Sequence, residues 1–225
     1  MIQFTNVSKM YPNGVMGLHN INLSVEDGEF IFVTGASGAG KSSFLKLMSR
    51  QENATSGELV INGTNITKLN RFKLHKLRRK IGVIYQDFKL LPRLTVYQNV
   101  AFALEAIGLP TRDVRKKAMY ALSLVGLSEK ILSYPNQLSG GEQQRVAIAR
   151  AIANNPDVVI ADEPTGNLDP ENSKQIMSIL KKLNKEGKTI IMATHNYDLI
   201  FDKDCRVLKI DQGTIDRDEV MGYYE

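Results

Sequence analysis

Apolar and polar residues alternate in two stretches near the start of the chain. Residues 2–7 read Ile-Gln-Phe-Thr-Asn-Val, and residues 21–25 read Ile-Asn-Leu-Ser-Val. A period close to two is typical of a strand that buries one face and exposes the other. Between them, residues 11–14 read Tyr-Pro-Asn-Gly, which is typical of a turn. The pattern predicts two half-buried strands with a turn between them.

Other short stretches are almost continuously apolar and predict strands over residues 29–34, 81–85, 157–161 and 189–194. Such runs are typical of a parallel sheet that is covered on both faces. Between the last two, residues 171–185 have the pattern of a helix that ends near Gly187. Alternating strands and helices indicate an α/β fold.

The pattern becomes helical between the strand that ends near residue 85 and about residue 135. Thr95 is followed by Gln98 three residues later, a capping box that opens a helix over residues 96–107. A second helix, over residues 111–125, has an apolar face and is closed by Gly126. We interpret residues 87–135 as a helical subdomain inserted into the α/β core.

Two hairpins complete the predicted elements. The first spans residues 57–66 and turns at Asn62 and Gly63, and the second spans residues 205–216 and turns at Gln212 and Gly213. The residues after 216 are mostly acidic or polar, so we expect them to be frayed.

A glycine-rich run follows the strand predicted at residues 29–34 and precedes a helical segment. It fits the pattern G-x-x-x-x-G-K-[ST] of phosphate-binding loops. Its backbone N–H groups can form an anion site, its lysine can contact the β- and γ-phosphates, and its first serine can ligate Mg²⁺. A plain glycine-rich turn is the alternative, but the strand and helix on either side favour nucleotide binding. The run consists of Gly35, Ala36, Ser37, Gly38, Ala39, Gly40, Lys41, Ser42 and Ser43.

Two further groups of residues stand at predicted element ends. Asp162 has the position of the second acid that holds Mg²⁺ in P-loop ATPases, and Glu163 next to it can take a proton from the attacking water. Ser139, Gly140 and Gly141 begin a helix, where free N–H groups favour an anion. The ordinary alternatives are a solvated turn for the acids and an N-cap turn for the serine and glycines.

Gln86 and His195 each follow a predicted strand. Ligand-binding residues of open α/β sheets lie at such strand ends. A lone histidine is more often structural, and either residue alone would be a weak signal. The order and spacing of all these groups in one chain favour a functional site.

Composition narrows the functional classes. At 225 residues the chain suits one domain, or one domain with an insertion. Cys205 is its single cysteine, which excludes an internal disulfide and fits a reducing cytosol. We expect no signal peptide, and no apolar run approaches the ~18 residues that cross a bilayer.

The net charge of +5 is moderate, but residues 68–93 contain nine lysines and arginines and one acid, Asp87. This stretch is either a solvated helix face or a surface for anionic lipid or an acidic partner. We expect no nucleic-acid binding, because no aromatic residues are interleaved as stacking platforms.

Taken in order, the motifs resemble those of the ATP-binding cassette (ABC) ATPases over essentially the whole chain. The glycine-rich run matches the Walker A loop, and residues 138–142, Leu-Ser-Gly-Gly-Glu, match the family signature. Residues 158–162 match Walker B, and residues 166–169 match the D-loop. The signature has Glu142 where many members have glutamine.

The resemblance implies a fold, a chemistry and a set of site residues. The fold is a single P-loop ABC domain over residues 1–225, with a mixed core sheet, an antiparallel β subdomain and the inserted helices. The reaction is Mg²⁺-dependent ATP hydrolysis. The implied catalytic residues are Glu163, His195, Lys41 and Gln86, and the implied Mg²⁺ ligands are Ser42, Gln86 and Asp162.

The resemblance also implies a head-to-tail homodimer that encloses two ATP molecules. Each Walker A loop would face the signature of the other chain, so Ser139, Gly140, Gly141 and Glu142 would contact nucleotide across the interface. Tyr11 matches the aromatic residue that stacks on adenine, although its sequence fits a plain strand-end aromatic equally well.

Four segments are similar to the cell-division ATPases of this family, which work with a separate integral membrane subunit. They are residues 86–92, 95–100, 139–145 and 192–196. We expect that subunit to dock near residues 86–97 and to hold the chain at the cytoplasmic face of the membrane. The apolar or aromatic residues expected there, each of which could also belong to the core, are Phe88, Leu90, Leu91, Leu94 and Tyr97.

Two alternatives remain open at this point. The chain could be the ATPase subunit of an exporter or importer, for lipoprotein release, macrolide efflux or a small solute. It could also be an ATP-gated interaction module in which hydrolysis matters little, although the presence of both Glu163 and His195 argues against that class.

Overall fold

The computed structural model describes residues 1–200 and 205–220, without the side chain of Arg71. The helices are α1 (Lys41–Met48), α2 (Leu74–Arg78), α3 (Val96–Glu105), α4 (Thr111–Leu124), α5 (Gly140–Ile152) and α6 (Pro170–Lys185). The strands are β1 (Ile2–Met10), β2 (Met16–Val25), β3 (Phe30–Thr34), β4 (Ser56–Ile61), β5 (Thr64–Asn65), β6 (Ile81–Ile84), β7 (Val158–Asp162), β8 (Thr189–Ala193), β9 (Arg206–Asp211) and β10 (Thr214–Val220).

The core is a sheet with strand order β10-β9-β3-β8-β7-β6. The strands from β9 to β6 are parallel, and β10 pairs antiparallel with β9 at the edge. Parallel strands require crossover connections, and α1 to α6 lie in the connections from β3 to β6, from β6 to β7 and from β7 to β8. The α/β fold with a mixed core sheet, predicted from the apolar runs and the family resemblance, is confirmed.

A second, antiparallel sheet has strand order β2-β1-β4-β5. The predicted hairpin turns at Asn62 and Gly63, both of which have positive φ. Strands β1 and β2 are longer than the alternation predicts, because their pairing continues through irregular register shifts after Phe4 and Val7. Polar residues at those shifts interrupt the period of two without ending the pairing.

Both faces of the core sheet are buried. In β3, Phe30 and Phe32 pack into one apolar cluster with the helices α3 to α6, while Ile31 and Val33 pack into another with the antiparallel sheet and α1. All five residues of β3 are therefore buried. This double covering explains why the core strands are apolar without alternation.

The segment between β6 and α5 contains α3 and α4. Both halves of the predicted capping box are present: Thr95 Oγ1 accepts from the Gln98 N–H, and the Gln98 side chain accepts from the Thr95 N–H. The apolar face of α4 is buried as predicted, and Gly126 after it has φ +71°. In the described residues, no helix combines the length and apolarity that crossing a bilayer would require.

The end of the chain corrects one expectation. Residues 216–220, which we expected to be frayed, continue strand β10 to Val220. Backbone pairing with β9 extends the strand, and Arg206 binds the Asp218 carboxylate with both its Nε and Nη2 groups. Polar composition was a poor guide because residues 216–220 are exposed on both faces of this edge strand and are held by pairing with β9 rather than by burial. Residues 221–225 lie outside the described residues.

Two glycines with left-handed backbone provide a matched test of the packing. Gly57 and Gly108 have φ values of +81° and +78°. A Cβ on Gly57 would lie 2.2 Å from the Asn6 carbonyl oxygen, whereas a Cβ on Gly108 would meet nothing within 4 Å. We expect Gly108→Ala to lower the free energy of unfolding by about 1 kcal/mol, from backbone strain alone. Gly57→Ala should cost at least ~2 kcal/mol more, because β1 and β4 must separate.

Urea unfolding of the two variants measures this difference directly. Equal losses of stability in the two variants would contradict the close approach of β1 and β4 at Gly57.

Candidate functional site

Four neighbouring strands place the candidate residues along one edge of the core sheet. Strands β3, β8, β7 and β6 are adjacent and parallel, so their carboxyl ends lie side by side. The phosphate-binding loop follows β3, His195 follows β8, Glu163 follows β7 and Gln86 follows β6. Parallel pairing therefore brings together residues that are far apart in the sequence.

The phosphate-binding loop depends on glycine at positions where a side chain would collide. Gly35, Gly38 and Gly40 all have positive φ, between +79° and +143°. A Cβ on Gly35 would lie 2.2 Å from the Ile210 carbonyl oxygen, and one on Gly40 would lie 2.6 Å from the Gly17 carbonyl oxygen. The loop is thus held against β9 and β2 and can curl tightly only because these residues lack side chains.

Lys41 begins helix α1 and turns its ammonium group back over the loop. Lys41 Nζ donates to the carbonyl oxygens of Gly35 at 2.7 Å and Ala36 at 3.0 Å, and the residue is only 8% exposed. The N-cap residue Gly40 has no side chain that could satisfy the first N–H groups of α1. The ammonium group and the free N–H groups at one helix start form a site that favours an anion.

A cavity of about 520 Å³ opens over this loop. Such a volume is within the range of sites for drug-sized ligands and cofactors. Its lining residues are Tyr11, Val15, Met16, Gly17, Ser37, Gly38, Gly40, Lys41, Ser42, Ser43, Glu163 and His195.

Tyr11 lies at the wall of this cavity, directly after the end of β1. Its hydroxyl lies 2.9 Å from Ser43 Oγ, and Lys9 Nζ lies 4.8 Å from its ring centroid. A Cβ on Gly17 would lie 2.7 Å from Cε2 of the ring, so the ring packs closely against that glycine. Tyr11 is therefore an aromatic residue at the end of a strand and also lines the cavity.

Glu163 and His195 meet at the edge of the same cavity. Glu163 Oε2 lies 2.9 Å from His195 Nδ1, and the two side chains are 20% and 62% exposed. Glu163 has φ +47°, a strained value for a residue with a side chain, and its N–H donates to the Ala193 carbonyl oxygen. The chain turns at Glu163 directly after β7, and the hydrogen bond to Ala193 ties this turn to the neighbouring strand β8.

Asp162 is the last residue of β7 and directly precedes Glu163 in the chain. Burial raises the pKa of Asp162 above its usual range, and the Glu163 carboxylate adds to the rise, while Lys46 and Lys41 oppose it. The half-buried Asp162 carboxylate, which feels the charge of Lys41, and the hydroxyl of Ser42, which lines the cavity, are oxygen ligands of the kind that Mg²⁺ prefers. The donor set therefore fits a Mg²⁺ ion that keeps several waters.

Gln86 lies beside Glu163 but does not line the 520 Å³ cavity among the residues described. A Cβ on Gly166 would lie 3.1 Å from Gln86 Nε2 and 3.4 Å from Glu163 Oε2. The Asn167 side chain also donates weakly, at 3.5 Å, to the Gln86 carbonyl oxygen. The structure thus brings Gln86 close to Glu163.

Ser139 and Glu142 form the capping box of helix α5. The Glu142 N–H donates to Ser139 Oγ at 3.3 Å, and the Ser139 N–H donates to Glu142 Oε2 at 2.9 Å. The other carboxylate oxygen of Glu142 pairs with Lys130. Lys130 and the Ser139 N–H lower the pKa of Glu142 below its usual range.

The glycines of this helix start allow close contact with the start of α6. A Cβ on Gly141 would lie 2.0 Å from Asn172 Oδ1, and one on Gly140 would lie 3.6 Å from Leu168 Cδ2. Within the described part of the chain, residues 139–142 do not line the cavity over the phosphate-binding loop. One chain therefore carries two separate anion-favouring helix starts.

Sequence reasoning missed three polar residues that organise the loops around the site. Gln144 is fully buried, and its Nε2 donates to the Pro164 carbonyl oxygen next to Glu163 at 2.8 Å. Arg150 and Asn99 bind backbone carbonyls of the loop after β6. For Gln144 and Asn99, a polar residue within the apolar face of a helix was a signal that the side chain is buried. No sequence pattern identifies the carbonyl groups that these side chains bind.

Residues 18–166 match the family model described as ABC transporter. The chain belongs to the ABC transporter family.

Relatives and solved structures of this family are similar over nearly the whole chain. The cell division ATP-binding protein FtsE of Bacillus subtilis is 51% identical over 100% of this chain and 98% of its own length. The FtsE of Escherichia coli K12 is 45% identical over 95% of this chain and 96% of its own. The dimeric post-hydrolysis state of the ATP-binding cassette MJ0796, bound to ADP and Pi, covers 99% of this chain and 100% of its own, with a TM-score of 0.89 and 38% identity.

Glu142, in the family signature, gives a test of the capping box and its electrostatics. A lowered carboxyl pKa means that the ionised form stabilises the fold. This contribution is complete above the unfolded-state pKa of about 4.3 and is lost as the pH falls through the folded-state pKa. Glu142→Gln keeps a capping acceptor and loses the ion pair with Lys130, so we expect a loss of about 0.5 kcal/mol at neutral pH.

Glu142→Ala also removes the cap and should cost about 1 kcal/mol more at every pH. Urea unfolding between neutral and acid pH separates the two effects. If the deficit of Glu142→Gln persisted unchanged in acid, the ion pair would not be its cause.

Proposed function

We propose that this chain is the ATP-binding and ATP-hydrolysing subunit of a membrane-associated ABC complex that acts in cell division. The observation that carries the proposal is the Glu163–His195 pair at the edge of the Walker A cavity, in a chain 51% identical to a cell division ATP-binding protein over its full length. The chain forms one ABC ATPase domain, in which residues 87–135 are an inserted helical subdomain.

The Walker A loop binds and orients the triphosphate. Backbone N–H groups of the loop and of the first turn of α1 face the phosphates, and Lys41 exchanges its two carbonyl contacts for phosphate oxygens. Tyr11 stacks on the adenine ring at the outer wall of the cavity. Ser42, Asp162 and the Gln86 side chain would hold Mg²⁺, which would neutralise negative charge on the phosphates.

Glu163 acts as the general base of hydrolysis. Its carboxylate takes a proton from the water that attacks the γ-phosphorus, while the bond from that phosphorus to the β–γ bridging oxygen breaks and ADP leaves. His195, 2.9 Å away through Nδ1, orients that carboxylate. The left-handed backbone at Glu163 and the hydrogen bond to Ala193 fix where the carboxylate points. Gln86 Nε2 and Glu163 Oε2 both lie close to Gly166, so Gln86 is a near neighbour of the same acid.

Two copies of the chain complete each nucleotide site. The start of α5 and the Walker A cavity are separate in one chain, and both favour anions. In a head-to-tail homodimer, Ser139, Gly140, Gly141 and Glu142 of one copy face the nucleotide held by the other. The dimeric, ADP- and Pi-bound cassette MJ0796, 38% identical, supports this arrangement.

A separate integral membrane subunit of the FtsX type receives the conformational change and relays it to peptidoglycan hydrolases, as the resemblance to FtsE implies. This partner holds the chain at the cytoplasmic face of the membrane. It docks near residues 86–97, where Leu91 is 38% exposed and Phe88, Leu90, Leu94 and Tyr97 are half-buried. Leu90 and Tyr97 also pack against the core, so Leu91 is the clearest contact.

Hydrolysis is tested by Glu163→Gln. We expect kcat for phosphate release to fall by about 10²-fold or more, because the general base is lost. The affinity for ATP should stay within about threefold of wild type, since the phosphate-binding loop is intact. Glu129→Gln, an exposed glutamate elsewhere, is the control. Wild-type turnover in Glu163→Gln would contradict the assigned base.

Docking is tested by Leu91→Glu in a pulldown of the co-expressed membrane subunit. We expect most of the captured subunit to be lost, because a carboxylate cannot enter an apolar contact without a partner. Tyr120→Glu changes a 61% exposed aromatic residue on α4 and should leave capture unchanged. Equal capture by both variants would contradict docking at residues 86–97. Capture of a permease that works with a solute-binding protein would favour a transport role instead.

A further inference from the structure

The loop that follows β6 and Gln86 is strained at two consecutive residues. Phe88 and Lys89 have φ values of +57° and +50°, although neither is glycine. Residues with side chains adopt this left-handed backbone at an energetic cost and keep it only when their surroundings enforce it. Gln86 lies two residues before Phe88, with Asp87 between them, in a turn closed by the hydrogen bond from the Phe88 N–H to the Tyr85 carbonyl oxygen. The position of Gln86 therefore depends on whatever holds the strained pair.

Arg150, on the last turn of α5, contacts both strained residues. Its Nη2 donates to the Phe88 carbonyl oxygen at 2.7 Å, and its Nη1 donates to the Lys89 carbonyl oxygen. Arg150 is half-buried, and within residues 1–200 and 205–220 no carboxylate pairs with it. A guanidinium that gives up water for two carbonyls of one loop, without a counter-charge, is placed to hold that loop.

The half of the loop farther from Gln86, residues 91–95, is held by a different side chain. Asn99 on α3 is fully buried, and it accepts from the Leu91 N–H and donates to the carbonyl oxygens of Leu91, Leu94 and Thr95. Arg150 holds the carbonyl oxygens of Phe88 and Lys89 in the half of the loop nearest Gln86, where Asn167 also donates weakly to the Gln86 carbonyl oxygen.

Helix α5 connects this contact to the other catalytic groups. The helix begins after Ser139, binds the Pro164 carbonyl next to Glu163 through Gln144, and reaches Phe88 and Lys89 through Arg150. Its 13 residues span about 20 Å. One rigid element therefore carries part of the signature motif and contacts both the loop of Glu163 and the loop of Gln86.

We propose that Arg150 is a positioning residue of the ATPase, which keeps Phe88 and Lys89 in left-handed conformation and so ties Gln86 to helix α5. The proposal rests on the proposed ATPase function. It adds that displacement of the loop by a docked membrane subunit is transmitted through Arg150 to α5, and from there to Ser139.

Replacement of Arg150 should separate turnover from nucleotide binding. We expect Arg150→Met to lower kcat by about 10-fold or more, because a misplaced catalytic group loses its geometry. KM for ATP should change less than about twofold, since Arg150 does not line the Walker A cavity. Arg150→Lys keeps the charge but replaces the planar guanidinium, whose two Nη groups each bind one carbonyl oxygen, by a single flexible ammonium group, and should recover only part of the loss.

Glycine at residue 89 provides the decisive rescue. Glycine adopts positive φ without strain, so Lys89→Gly in the Arg150→Met background should restore kcat at least about threefold. Lys89→Ala in the same background is the matched control, because it also removes the Lys89–Asp87 ion pair but keeps a Cβ. Alanine should give no rescue. Equal effects of glycine and alanine would overturn the proposal.

Hydrogen exchange of residues 85–95 gives a readout that is independent of activity. We expect faster exchange there in Arg150→Met, with unchanged exchange in α1, and a return towards wild type with Lys89→Gly. Unchanged exchange in residues 85–95, or a general increase over the whole chain, would overturn the proposal. Absence of ATP hydrolysis by the wild-type chain and its membrane subunit would instead contradict the proposed function, whatever the variants do.

Discussion

Parallel hydrogen bonding between β3, β8, β7 and β6 is the constraint on which the site depends. These strands are fixed side by side because both faces of their sheet are buried, one under helices and one under the antiparallel sheet. A shift of one strand by one residue would displace its buried apolar side chains and also the candidate site residue at its carboxyl end. The alignment that stabilises the fold is therefore the alignment that brings Glu163 to His195 and places both over the phosphate-binding loop.

The loops at these strand ends are held in conformations that their own residues do not favour. Glu163, Phe88 and Lys89 all have left-handed backbone, and each is fixed by contacts from another element. Strain of this kind is typical of functional sites, where the surroundings impose a geometry on the loop. Helix α5 contributes to two of these loops, through Gln144 and Arg150, and its own start is the family signature. The ATPase site and the signature are consequently parts of one packed unit.

Local patterns were enough to predict much of this arrangement from the sequence. Continuous apolar runs located the core strands, the threonine with glutamine three residues later located the start of α3, and the serine with two glycines at residues 139–141 located the start of α5. The partners of Gln144 and Arg150 could not be predicted, because a polar side chain in a helix does not indicate which distant carbonyl it binds. The length of β10 was missed for a related reason: its pairing with β9, rather than its polar composition, determines where it ends.

The central claim is that nucleotide is enclosed between the Walker A loop of one copy and the signature helix of another. Light scattering of the hydrolysis-deficient Glu163→Gln chain, saturated with Mg-ATP, tests this most directly. The account predicts a mass twice that of the 25.1 kDa chain, returning to the single-chain mass when ATP is removed. A mass that stayed at 25.1 kDa with Mg-ATP, even in the presence of the membrane subunit, would contradict it.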